Sequence, residues 1–338
     1  MKKYSGIDLH SNNSVVVVSD EADRVLYCKR LPNELLKILE ALEPHRGELV
    51  GVVVESTYNW YWLVDGLQAA GHAVHLANTA AKKQYDGLKH SNDKTDAAHL
   101  AHLLRLGILR TGYIYPREQR ALRDLARRRM QLVRQRSMHV LAVENVQARE
   151  TGSRMSADRI KRLSATAVER LGYELEVAMG ISANVAVISA LNAQIHRLEK
   201  HLAERVELTA QYQVLTTAPG IGETLATVIM LETGELGRFA EVGNYSSYAR
   251  CVDSTRTSNE KKKAEGNRRN GNKYLAWAFI EAANMAKRWC AEAKRFHERK
   301  RAKTNNVVAT KALAHKLARA CYHMLKTGEP FNVQRCFG

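Results

Sequence analysis

Four acidic side chains stand where apolar segments end or a helix begins. Asp8 follows the apolar start of "GIDLHSNNSVVVV", Glu55 ends "LVGVVVE", and Asp93 and Asp96 lie three apart in "NDKTD". A carboxylate at the end of a buried strand is costly unless a partner or a cation takes up its charge. A spacing of three puts Asp93 and Asp96 on one face of a helix, in a first turn whose positive end favours acids. Taken singly, each has a plainer reading: Asp8 as a turn residue, Asp93 as a helix-end charge beside Asn92. Taken together, Asp-Glu-Asp-Asp is a set of hard oxygen ligands. It suits Mg²⁺, with Mn²⁺ as the alternative. Two such ions about 4 Å apart hold the attacking and leaving oxygens of a phosphodiester. His10, two residues after Asp8, either tunes this group or only packs beside it.

The elements that must bring the acids together follow from pattern. Residues 3–8, 14–19 and 24–30 read as strands, joined by Asn12-Asn13 and by Glu21-Ala22-Asp23 into an antiparallel meander. Residues 33–42 have helical apolar spacing, with Asn33 as N-cap. "LVGVVVE" is a strand buried on both faces. A helix over 58–71 closes at Gly71, a strand follows at 72–77, and a helix runs from Asn92 through Leu106. The order β-β-β-α-β-α-β-α is that of an α/β RNase H-like (RuvC-like) fold. Its fourth strand lies beside its first, so Asp8 and Glu55 become neighbours. An actin/Hsp70-like ATPase opens in a similar way. Here His10 stands where that phosphate loop needs glycine, and no second hairpin of the kind follows.

Charge points to a polyanion. Lys and Arg number 52 against 35 Asp and Glu, giving +17 and a pI near 9.7. The excess is clustered in residues 117–136, 256–273 and 287–303. Arg127, Arg128, Arg129, Arg256, Lys261, Lys262, Lys263, Arg268 and Arg269 are therefore candidate nucleic-acid contacts. Five scattered cysteines without a CxxC pair argue against a disulfide framework or zinc ribbon. No apolar run has the character of a membrane span or signal core, so a cytoplasmic protein without a membrane partner is expected, nucleoid-associated when acting.

The second half reads as helical. A basic helical pattern covers 117–150. Ile181, Ile188, Ile195 and Leu202 recur every seven residues, with Asn184, Leu191 and Leu198 as a companion seam. That is either a coiled-coil arm or an antiparallel helical hairpin folded on itself. In "LTTAPGIGETLATVIMLETG", Pro219-Gly220-Ile221-Gly222 has the form of a helix-hairpin-helix turn. There Gly220 and Gly222 let backbone amides approach a phosphate. A polar loop over 252–272 and helices over 273–300 and 306–326 complete the chain. Three domains are expected: 1–112, the metal domain; 113–210, the helical coiled-coil arm; and 211–338, mainly α with the helix-hairpin-helix.

At this level the chain resembles the DEDD transposases of bacterial insertion sequences, the "one-ten/eleven-eleven" group, with a C-terminal domain of the transposase-20 type. The resemblance is carried by "GIDLH", "VVVES", "NDKTDAAHLAHLL", "TAPGIGETLATVIMLETGELGRF" and "STRTSNEKKKAEGNRRNGNKYLAWAF". It implies that Asp8, Glu55, Asp93 and Asp96 hold Mg²⁺. It also implies a serine nucleophile some way before a Gly-Asn that opens a helix. Counting back from Gly271-Asn272, that serine is Ser258, with Ser254 as the fallback; Asn259 stands where the family more often has glycine. The implied activity is site-specific recombination of an insertion sequence through a 5′-phosphoserine intermediate. Implied partners are element-end and target DNA, a structured noncoding guide RNA, and further copies of the chain as dimers assembling to a tetramer with a composite site. The alternative is a metal-dependent nuclease of the Holliday-junction-resolving kind, with water as nucleophile. A nucleic-acid-binding protein on an inactive nuclease fold is a third reading.

Overall fold

β1 (Lys3–Leu9), β2 (Asn13–Asp20) and β3 (Val25–Pro32) form the antiparallel meander that the short polar turns predict. The computed structural model describes residues 1–78, 92–252, 255–258, 261–265 and 270–338, and it divides into two units, Met1–Arg117 and Glu118–Gly338. The first unit continues with α1 (Leu35–Leu42), β4 (Leu49–Glu55), α2 (Tyr61–Ala69), β5 (Val74–Ala77) and α3 (Asp93–Arg105). The sheet order is β3-β2-β1-β4-β5, with β4 parallel to β1 and β5 parallel to β4. This mixed five-stranded sheet is compatible with the RNase H-like arrangement expected from element order.

Both faces of the sheet are covered, which is why β4 reads as an unbroken apolar run. On one face Ile7, Leu9, Val16, Val18, Val52 and Val54 pack with Ile38 and Leu42 of α1 and Leu63 and Leu67 of α2. On the other, Val15, Val17 and Val53 meet Ala97 and Leu100 of α3. Gly6 allows α3 to lie directly on β1: a Cβ there would stand 2.0 Å from the Ala97 carbonyl oxygen. One expectation is corrected. Asn33 does not cap α1, whose N-cap is Glu34. The Asn33 amide instead donates to the carbonyls of His10 and Ser11, and its oxygen accepts from Ser14 Oγ.

The second unit is mainly helical: α4 (Arg117–Thr151), α5 (Ala157–Ile160), α6 (Ala165–Glu169), α7 (Leu175–Val206), α8 (Ala210–Thr216), α9 (Glu223–Thr233), α10 (Val242–Tyr248), then β6 (Thr255–Ser258) and β7 (Lys261–Glu265), then α11 (Lys273–Trp289), α12 (Ala291–Lys303), α13 (Asn306–Thr327) and α14 (Val333–Phe337). The heptad residues Ile181, Ile188, Ile195 and Leu202 are all buried. α7 runs antiparallel to α4 within the same chain. Arg129 pairs with Glu199, Arg136 donates to Asn192, and His139 bonds Asn184. Ile181, Val185 and Ile188 share a cluster with Val140 and Val143. Among the described residues, α7 is the one helix long and apolar enough, by length and composition, to cross a membrane. That apolarity includes the stripe that packs on α4.

The polar stretch 252–272, expected as a loop, contains β6 and β7 paired antiparallel. β6 reads TRTS and β7 reads KKKAE, so no two-residue hydrophobic period marks the strands. The helix expected over 273–300 breaks at Cys290, whose backbone is extended with φ −122°.

Candidate functional site

Strand register brings the first two acids together. Ile7 pairs with Val54 across the parallel β1–β4 ladder, so Asp8 and Glu55 are the next residues on neighbouring strands and share a face. It is the face on which α3 packs. Asn92 caps α3, accepting from the backbone amides of Lys94 and Thr95, while Thr95 Oγ1 accepts from the Asn92 amide. This capping box fixes where the helix begins and places Asp93 and Asp96 in its first turn. The missing side chain at Gly6 lets the α3 backbone at Ala97 and Ala101 lie directly against β1.

Asp8 is buried, at 4% exposure. Its Oδ2 lies 3.2 Å from His10 Nε2, and the same nitrogen lies 3.3 Å from Asp93 Oδ2. One donor atom from each of Asp8, His10 and Asp93 falls within 4.8 Å of the others. Glu55 and Asp96 are partly buried and lie outside this group of three, each with contacts of its own. Two carboxylate oxygens and an imidazole nitrogen form a donor set that fits a divalent cation. His10 Nε2 is shielded from solvent and is aimed between these two carboxylate oxygens.

A cationic side chain also reaches the group. Arg30, from β3, pairs with Asp93 and donates to Asn13 Oδ1 at 2.6 Å. The Arg30 hydrogen bond, opposed by burial and aided by the charge of His10, holds the Asp93 carboxyl below its ordinary value of 3.8. Sequence reasoning did not find Arg30, which is distant in the chain and sits on an exposed edge strand. It left His10 open because the residue lies just past the end of β1, in the turn before β2, where strand alternation no longer sets direction.

The other candidates lie in the second unit. Ser258 is the last residue of β6, opposite Lys261 in the ladder. Arg256 belongs to the same strand, and Lys261, Lys262 and Lys263 belong to β7. Ser254, Arg268 and Arg269 lie outside the described residues.

Two of the three candidate arginines on α4 pair with acids of the same unit. Arg127 makes a two-pronged pair with the buried carboxylate of Glu232, at 2.6 and 2.7 Å, and stacks on Tyr274. Glu232 also accepts from Asn272, whose own oxygen caps α11. Arg129 is committed to Glu199. Arg128 is exposed, bonding only its neighbour Gln131 among the described residues. Sequence pattern shows a basic helix but not which side of it another helix covers.

The glycine turn also divides in role. Gly220 has φ +80° and meets the α11 backbone, where a Cβ would lie 2.3 Å from the Ala282 carbonyl oxygen. The close approach it permits is therefore internal. Gly222, the N-cap of α9, has nothing within 4 Å of its Cβ position.

Residues 5–146 match the family model for the DEDD domain of IS110 transposases. Residues 212–298 match the model described as "Transposase IS116/IS110/IS902 family". The chain is also similar to a Streptomyces coelicolor protein described as "Insertion element IS110 uncharacterized 43.6 kDa protein". The two are 25% identical over 142 residues, which is 42% of this chain and 35% of that one. The chain thus spans about a third of the length of that curated relative.

Proposed function

Because the chain belongs to the IS110-type transposases, with two of their domains matched over residues 5–146 and 212–298, we propose that it is the DNA transposase of an insertion element. The observation that carries this reading is the meeting of Asp8 with Asp93 at the end of β1, one acid delivered by a strand and the other by a capped helix. Asp8, Glu55, Asp93 and Asp96 hold a divalent metal, Mg²⁺ or Mn²⁺. When bound, the metal offsets charge on the scissile phosphate and on the departing oxygen. Ser258 is the nucleophile. Its Oγ–P bond forms as the P–O3′ bond breaks, and the proton given up by the serine is balanced by protonation of the 3′ oxygen. The 5′-phosphoserine link conserves a phosphoester for rejoining.

Element-end and target DNA are the substrates, and a structured noncoding RNA guides their choice. The formal charge of +17 supports polyanion partners. The α4–α7 pair is the arm through which dimers assemble to a tetramer, with a composite active site. Nuclease action with water as nucleophile is the second reading. It is favoured by one observation: the Asp8, His10 and Asp93 group lies wholly in the first unit. The two are separated by incubating end-labelled element DNA with the protein and resolving the products on a denaturing gel. Wild type leaves protein-linked DNA, and Ser258→Ala abolishes the adduct. Free 5′-phosphate ends alone from wild type would refute the serine mechanism.

A further inference from the structure

We propose that His10 binds the metal directly through Nε2, and that this nitrogen biases the centre toward Mn²⁺ over Mg²⁺. The inference rests on the metal reading above and deepens it by assigning a ligand outside the four acids.

Three observations carry it. Nε2 lies 3.2 Å from one carboxylate oxygen and 3.3 Å from another, contributed by two different elements. It is shielded from solvent and, among the described residues, faces these two carboxylate oxygens without a well-aligned hydrogen bond to either. The residue is also held in place through its backbone. His10 N donates to the Asn13 carbonyl at 2.9 Å, and the His10 carbonyl accepts from Asn33 Nδ2 at 2.9 Å and Asn59 Nδ2 at 3.0 Å. Two asparagine amides, one beside α1 and one after β4, thus fix the turn that carries the ring. Side-chain amides that pin a backbone carbonyl are how a site is preorganised before its ion arrives.

The choice of metal follows from ligand chemistry. Mg²⁺ is bound through oxygen and keeps its waters, whereas imidazole adds affinity for first-row transition ions. An imidazole added to the carboxylate centre therefore strengthens binding of Mn²⁺ and does little for Mg²⁺. Arg30 pairs with the same Asp93 oxygen, Oδ2, that faces His10, so a metal bound there shares or displaces that guanidinium.

The test uses the full chain with substoichiometric Mn²⁺. Pulsed electron paramagnetic resonance reads nitrogen bound to Mn²⁺, and titration of free Mn²⁺ reads affinity. Wild type is expected to show a directly bound ¹⁴N that changes to the ¹⁵N pattern when histidine is ¹⁵N-labelled. His10→Ala and His10→Asn lose that coupling and bind Mn²⁺ about tenfold more weakly. Their Mg²⁺ affinity, read by competition, changes by less than about threefold. Bound Mn²⁺ in wild type without nitrogen coupling would overturn the role of His10 while leaving the carboxylate centre standing, and this arm needs no variant to fold. Coupling that survives in both variants would also overturn it. Wild-type Mn²⁺ affinity in Asp8→Asn would instead bring down the metal reading from which the inference starts.

Discussion

Gly6→Ala tests whether α3 must lie directly on β1 for the acids to meet. The new Cβ would stand 2.0 Å from the Ala97 carbonyl oxygen and 2.9 Å from the Ala101 amide nitrogen. Both neighbours are backbone atoms of α3 and cannot rotate aside. Ordinary contact begins near 3.4 Å, so the helix must retreat by the difference, about 1.4 Å. Overpacking of this kind costs about 3 kcal/mol at the upper end of its usual range. Replacing glycine in a strand returns up to about 1 kcal/mol of unfolded-state entropy. A net loss of about 2 kcal/mol lowers the melting point of a domain this size by about 8 °C. The functional loss is larger, because α3 carries Asp93 and Asp96 while Asp8 stays on β1. A displacement near 1 Å at a reacting centre costs about 100-fold in rate. Thermal unfolding by circular dichroism and DNA strand transfer with Mg²⁺ or Mn²⁺ read the two effects. Gly47→Ala, with nothing within 4 Å of its Cβ position, serves as the control and should match wild type in both. Wild-type melting and wild-type strand transfer in Gly6→Ala would show that the close approach of α3 to β1 does not position the site.

Arg127→Ala and Arg128→Ala should separate structure from binding on adjacent residues. The first leaves the buried Glu232 carboxylate without its cation, at a cost of about 3 kcal/mol or more, seen as a melting-point drop of roughly 6–12 °C. The second should leave stability within about 0.5 kcal/mol of wild type. It should weaken DNA or RNA binding and lower the salt-dependence slope by about 1, measured by fluorescence anisotropy across a salt series. The clamp at the far end of α3 should show in the pH dependence of unfolding. Hydrogen bonds from Arg105 first, then from His102, hold the Asp23 carboxyl below its ordinary 3.8 despite partial burial. The stabilisation is therefore present above about pH 4 and lost as pH falls through the lower folded value. Asp23→Asn should destabilise the protein by roughly 0.5–1 kcal/mol at neutral pH, since the pair is partly exposed, and the difference should close in acid. Asparagine tolerates the positive φ of 62° at this turn, so the substitution isolates the charge.

The first unit was largely legible because its signals are local. β4 was read at its observed limits, Leu49–Glu55, from an apolar run bounded by polar residues. The start of α3 followed from Asn92, and Gly71 does end α2's turn, with φ +84°. Asn33 shows the limit of the same logic. Its type suits an N-cap, yet its amide holds the carbonyls of His10 and Ser11, partners from a turn some twenty residues earlier. β6 and β7 were not legible because strands made of charged and polar residues carry no hydrophobic period.

By itself the sequence determined which residue types were available, where most elements begin and end, and that a strongly basic chain carries acids at the ends of apolar segments. Those are properties of neighbouring residues, and short-range sterics and periodicity decide them. Only the tertiary structure decided that His10 stands between Asp8 and Asp93, that Arg30 reaches the same carboxylate, and that Arg127 turns inward to Glu232. Each of these contacts depends on how far a helix may approach a strand or another helix. That distance is set by packing across the fold, as at Gly6, and no local pattern in the chain encodes it.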